Sequence, residues 1–130
     1  MKKISFLSLV MFFLLLSVAY TGQKDGGKIA VASNSKQPTS KVSSLAGRSP
    51  CYLIFDDTGK FTEAVKNPYK DEGRGAGSSA ANFLFEKGVT VVIAETFGGK
   101  MINAIESKDM TYVEFKGNAN DAVKKVLNSK

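Results

Sequence analysis

Val89-Thr90-Val91-Val92-Ile93-Ala94 is a charge-free run in which five of six residues are β-branched. Such a run reads as a strand covered on both faces, with Val91 and Ile93 on one side, Val92 on the other, and all three buried. Gly88 precedes it in the position of a C′ glycine. The helix closed by that glycine starts at a cap on Ser78 or Ser79, shows an apolar face of Ala81, Leu84 and Phe85, and ends with Lys87. After the strand, Phe97-Gly98-Gly99 leads into a helix from about Lys100 to Ser107, with Met101, Ala104 and Ile105 at helical spacing. A doubly covered strand between two helices is a unit of an α/β sheet.

The same reading extends to both sides. Downstream, Met110 to Phe115 forms a strand, and Asn118 or Asn120 starts a last helix with Ala122, Val123, Val126 and Leu127 inward. Upstream, Cys51-Tyr52-Leu53-Ile54-Phe55 is another continuous apolar run. Asp56 to Lys60 turns it back onto a partner strand, Phe61 to Val65, with Gly59 able to take a positive φ. Lys28 to Ser33 is the first strand. Between it and Cys51 lies a polar stretch, Asn34 to Pro50, long for a loop without periodicity and therefore a place to look for function. A second irregular loop, Asn67 to Gly77, holds Gly73, Gly75 and Gly77. The order β, β-hairpin, α, β, α, β, α implies a mixed sheet with helices on its faces.

The first two dozen residues do not belong to that pattern. Met1-Lys2-Lys3 is followed by an almost wholly apolar run, Ile4 to Leu16, and no further charge until Lys24. This is the layout of a secretory signal, with Ser17-Val18-Ala19 as a weak cleavage site. A retained membrane anchor is the alternative, since about 20 uncharged residues suffice to cross a bilayer core; a hydrophobic start that is not exported is a third. The expected organisation is residues 1–22 as signal peptide or anchor, 23–27 as linker and 28–130 as one domain. The domain is expected to be exported, periplasmic or extracytoplasmic, and to meet a membrane only through residues 1–22 if they are uncleaved. With Lys2 and Lys3 set aside, the chain carries 16 basic and 12 acidic residues. That surplus is spread without a dense basic run or an aromatic platform, which speaks against nucleic-acid binding.

Chemistry is constrained by what the 130 residues lack. There is no histidine and only one cysteine. Serine–histidine and cysteine–histidine catalysis, histidine-based zinc sites and an intramolecular disulfide are thereby excluded. Cys51 reads as a small apolar filler, with a thiolate ligand or an intermolecular disulfide as alternatives. Asp56-Asp57 and Asp71-Glu72 read as turn formers. Gly73-Arg74-Gly75-Ala76-Gly77-Ser78 lacks the ending of a phosphate-binding P-loop. Three segments do share one property: Gly47-Arg48-Ser49, Gly73 to Ser78, and Thr96 to Lys100 place glycines in loops, the last two at helix starts. Backbone N–H groups exposed there, with the helix dipole, favour an anion, and Arg48 or Arg74 adds a charged fork. The bland alternative is that the glycines only make tight connections.

KIAVASNS (28–35), SSLAGRSPCYLIFDDTGKF (43–61), GRGAGSSAANFL (73–84), GVTVVIAETFGGKMINAI (88–105) and FKGNANDAVKKV (115–126) together resemble the dinitrogenase iron–molybdenum cofactor family, which includes nitrogenase accessory proteins. The resemblance implies a three-layer ribonuclease H-like fold: a mixed five-stranded sheet with one antiparallel strand and helices on both faces. It also implies that Ser33, Asn34, Gly47, Arg48, Gly75, Gly77, Ser78, Phe97, Gly98 and Gly99 surround an iron–sulfur or iron–molybdenum cluster or a similar small anionic ligand. Two features depart from the family. Relatives that hold the cofactor often have a histidine where this chain has Leu45, and cofactor assembly is a cytoplasmic task whereas this chain starts with an export segment. The carboxylate cluster that a nuclease of this fold needs is not evident. The expected function is a non-enzymatic binding module for such a cluster or anion; the alternative is an exported protein-interaction or regulatory domain that has lost its ligand. Any protein partner is left unspecified.

Overall fold

The computed structural model describes residues 26–129; the expected export segment and most of the expected linker lie outside them. Five strands and three helices alternate as the sequence suggests: β1 (Lys28–Ser33), β2 (Cys51–Phe55), β3 (Phe61–Lys66), α1 (Ala76–Glu86), β4 (Val89–Ala94), α2 (Gly99–Ser107), β5 (Thr111–Glu114) and α3 (Ala119–Asn128). The sheet order is β3-β2-β1-β4-β5. β2 pairs antiparallel with both β1 and β3, whereas β4 pairs parallel with both β1 and β5. Two pairings are thus antiparallel and two parallel, a mixed sheet. Among the described residues no helix is long and apolar enough to cross a membrane.

The two faces of the sheet carry separate halves of the core. Alternation along the strands sends Ala30, Ala32, Tyr52, Ile54, Val92 and Ala94 toward α1 and α2, where they meet Ala80, Ala81, Leu84, Met101 and Ile105. The intervening residues Ile29, Val31, Leu53, Phe55 and Ile93 face α3, against Ala119, Ala122, Val123 and Val126. One helix covers less than two. Val91, expected to be fully buried, is only half-buried on the α3 face, as are Val113 and Leu127.

Two expectations about α1 are corrected. The helix starts at Ala76, with Gly75 at the N-cap in the left-handed region (φ 83°), so Ser78 and Ser79 lie inside it rather than capping it. Packing against the sheet and α2 selects the buried face: Ala76, Ala80, Ala81 and Leu84 are buried, and Phe85 falls off that stripe. Phe85 is 47% exposed, with the Lys108 ammonium 5.9 Å from its ring centre.

Candidate functional site

Strand direction brings three loops to one end of the sheet. β1 and β4 are parallel, so the segments after Ser33 and after Ala94 leave from the same end. β2 opposes both β1 and β3, so β3 also ends there at Lys66, and the segment from Asn67 to Gly75 joins the other two. Ligands of α/β folds collect beyond such strand ends because loops and helix N-termini meet there.

The long segment 34–50 is stitched down rather than free. Ser43 N donates to Ala32 O at 2.7 Å, Glu95 N to Ser43 O at 3.0 Å, Thr96 N to Ser44 O at 3.0 Å and Ala46 N to Thr96 O at 3.1 Å. These bonds seat residues 45–48 beside the start of α2. The result is a cleft of about 450 Å³ lined by Leu45, Ala46, Gly47, Arg48, Gly73, Arg74, Gly75, Ala76, Gly77, Thr96, Gly98, Gly99, Lys100 and Met101. Of the residues singled out in the sequence, Gly47, Arg48, Gly75, Gly77, Gly98 and Gly99 are brought together there. Ser33, Asn34, Ser78 and Phe97 do not line it. Ser33 is buried and its hydroxyl donates to Ser35 O at 2.7 Å, while Asn34 and Ser78 are exposed outside the lining. Phe97 packs on Tyr112 with ring centres 5.1 Å apart, so it does not screen the cleft.

Two helix N-termini open onto this space. Neither α1 nor α2 has a side-chain cap or an acidic residue in its first turn. Their first N–H groups therefore offer partial positive charge to the cleft with no capping side chain bonded to them. α3 differs, since Asn118 caps it by accepting from Asp121 N at 2.9 Å. The charged side chains of the lining are Arg48, Arg74 and Lys100; no carboxylate is among them. Two acids adjoin lining residues in sequence, Glu72 before Gly73 and Glu95 before Thr96; Glu72 accepts from the Ser79 hydroxyl at 2.8 Å. Among the described residues neither Arg74 nor Lys100 has an ion-pair partner.

The glycines divide by what surrounds them. A Cβ on Gly47 would come within 2.8 Å of Gly77 Cα, and one on Gly77 within 2.8 Å of Met101 Cβ, so these two permit close packing at the cleft wall. Gly98 has no such reason. Its φ of −74° and ψ of 155° suit any residue, and nothing lies within 4 Å of a Cβ built there. Gly73 and Gly99 likewise face open space.

Arg48 departs most from its sequence reading. Its guanidinium is not free to meet a ligand as a bare charge: Nη1 donates to Lys70 O (3.2 Å) and Glu72 O (2.7 Å), and Nη2 donates to Gly73 O (2.6 Å). Sequence reasoning missed Asn67 and Tyr52, and reached Thr96 and Lys100 only as the ends of a glycine-bearing loop, without a role of their own. Tyr52 OH, fully buried, donates to Ala46 O at 2.6 Å and accepts from Asn67 Nδ2 at 3.3 Å. Burial drives the Tyr52 phenol well above its ordinary pKa, with Cys51 adding to the rise. Only the Asn-Pro pair at 67–68 hinted at a turn, and nothing in sequence marks a buried asparagine.

Cys51 stays outside the cleft. It is buried, its thiol donates to Ser35 O (3.2 Å) and Ser33 O (3.4 Å), and burial raises its pKa against a smaller opposing pull from Lys36. Among the described residues no three His, Cys, Asp or Glu side chains gather where they could hold a metal ion. The residues of the cleft therefore fit an anion held through its outer atoms; they do not fit a metal ligated by protein side chains.

The profile described as dinitrogenase iron–molybdenum cofactor matches residues 27–129. No curated protein matches the sequence. Among solved structures, the apo form of the orange protein from Desulfovibrio gigas superposes with a TM-score of 0.75 at 24% identity, covering 79% of this chain and 88% of that one. A Thermotoga protein provisionally named NifB gives 0.66 at 22% identity, covering 79% and 88%. A provisional dinitrogenase from Methanocaldococcus jannaschii gives 0.56 at 13%, covering 81% and 91%. At these identities the likeness is one of fold.

Proposed function

This chain belongs to the dinitrogenase iron–molybdenum cofactor family, and from that premise we propose that its cleft binds an anionic metal–sulfur cluster, or a small anion of the same chemistry, as cargo. The observation that carries the reading is the composition of the lining: two uncapped helix N-termini with Arg74 and Lys100, and no carboxylate. The open space over Gly98 and Gly99 supports it, because a bulky ligand needs room that a side chain would fill.

In this reading the N–H groups of the first turns of α1 and α2 bind the outer sulfur or oxygen atoms of the ligand. Arg74 and Lys100 balance its charge, and the exposed Leu45 contributes an apolar rim. The role is binding, not turnover. The lining holds no imidazole, thiol or carboxylate to serve as base or nucleophile.

Titration of the purified chain with tetrathiomolybdate, an anionic molybdenum–sulfur species with visible absorption, tests this. One saturable site per chain is expected, weakened by added salt and by Lys100→Ala. Absence of saturable binding would count against the proposal and favour an interaction domain without a ligand.

A further inference from the structure

Two walls of the cleft are irregular chain: the turn at residues 45–49 and the segment 67–75 that carries the start of α1. The second has little backbone bonding of its own. Asn67 N donates to Pro50 O and Glu72 N to Tyr69 O, both at 3.1 Å. Side chains supply the rest, and they do so in both directions. From the first wall, the Arg48 guanidinium spans Lys70 O, Glu72 O and Gly73 O. From the second, buried Asn67 Nδ2 donates to Gly47 O and Ser49 O, each at 3.0 Å, and its Oδ1 accepts from Tyr69 N at 2.9 Å. The joined walls also touch backbone to backbone, where Gly47 leaves no room beside Gly77 for a Cβ. A shift of one wall therefore moves the first turn of α1.

We infer that Arg48 and Asn67 are positioning residues, a reciprocal clasp that sets the first turn of α1 against the cleft; the inference rests on the anion-binding reading above. Arg48 acts through three carbonyl oxygens, and its charge is spent on them rather than on the ligand. Its planar fork is required, because an ammonium on a flexible stem cannot span carbonyls of residues 70, 72 and 73 in one geometry.

The test uses the full chain with tetrathiomolybdate as probe, comparing Arg48→Ala, Arg48→Lys and Arg74→Ala. The probe is achiral in solution, so circular dichroism in its visible band reports how the cleft orients it. Arg48→Ala should weaken binding by about tenfold and alter the induced dichroism, while the dependence of affinity on salt stays that of the wild type. Guanidinium ion at sub-denaturing concentration, against sodium chloride at equal ionic strength, should restore both; Arg48→Lys should not. Arg74→Ala should flatten the salt dependence and leave the shape of the dichroism intact. An Arg48→Ala chain that flattens the salt dependence as Arg74→Ala does, or that binds like the wild type, overturns the clasp. Amide hydrogen exchange of the ligand-free chains separates this from failure of the anion reading. The bonded amides of the segment, Tyr69 N on Asn67 Oδ1 and Glu72 N on Tyr69 O, should exchange faster in Arg48→Ala while β1 and β4 keep their protection, and unchanged protection at those two amides overturns the clasp even if the probe binds nowhere.

Discussion

Gly77 and Gly98 lie in the same cleft for different physical reasons, and alanine at each separates packing from binding. At Gly77 an added methyl meets Met101 Cβ at 2.8 Å, between two packed helices. Overpacking of this kind costs about 1–3 kcal/mol, so Gly77→Ala should lower the urea midpoint visibly. At Gly98 the methyl meets nothing and the backbone already suits it. Gly98→Ala should leave stability level, or raise it by about 0.4–1 kcal/mol through the unfolded chain, while weakening tetrathiomolybdate binding. A Gly98→Ala chain that binds the probe as tightly as wild type would remove Gly98 from the site. The sequence made both residues visible only as loop glycines, and their difference lies in neighbours from other elements. Arg48 misled for the same reason. A guanidinium after a glycine reads as charge for a ligand, but its acceptors are carbonyls 22, 24 and 25 residues further on.

Helix ends show where local sequence suffices. Asn118, one of two candidates for the start of the last helix, does cap α3 through Asp121 N, and the capped helix seals one face of the core. Asn118→Ala should cost about 1 kcal/mol of unfolding free energy, readable in a urea melt, without affecting a ligand at the other helices. An unchanged midpoint would mean that the loop bonds Val42 N to Gly117 O and Ala119 N to Ser40 O hold this end unaided. The central strands were legible because β2 is an unbroken apolar run of five residues and β4 a charge-free, mostly β-branched run of six, lengths that suit a strand covered on both faces. The phase of α1 was not. Its buried stripe is mostly alanine, as the close approach to α2 demands, and small residues give a weak periodic signal beside the exposed Phe85.

At the scale of the molecule, strand direction did most to assemble the site, and mixed pairing was readable from one hairpin among alternating strands and helices. The reciprocal bonding of the two loops was not, since it joins backbone carbonyls whose positions no side-chain pattern encodes. The titration behaviour of the whole follows from few groups. Asp56 is held below the usual carboxylate range, first by the Thr58 hydroxyl and then by the Lys60 N–H. Its contribution is present above the ordinary carboxylate pKa and is lost as pH falls through the lowered folded value. Cys51 and Tyr52 shift upward, chiefly by burial. Their contribution is full below the ordinary thiol and phenol values and is lost as pH rises through the raised folded ones. No histidine titrates between these limits. The urea midpoint should therefore stay level from about pH 5 to about pH 8 and fall on either side. A step near about pH 6.5 would contradict this account. The buried position of Cys51 has a practical corollary. It is the sole cysteine of the chain and is only 3% exposed, so a cysteine introduced on the surface becomes the one thiol that a maleimide dye or spin label readily reaches. The protein is thereby ready for single-site spectroscopy without first being stripped of its native sulfur.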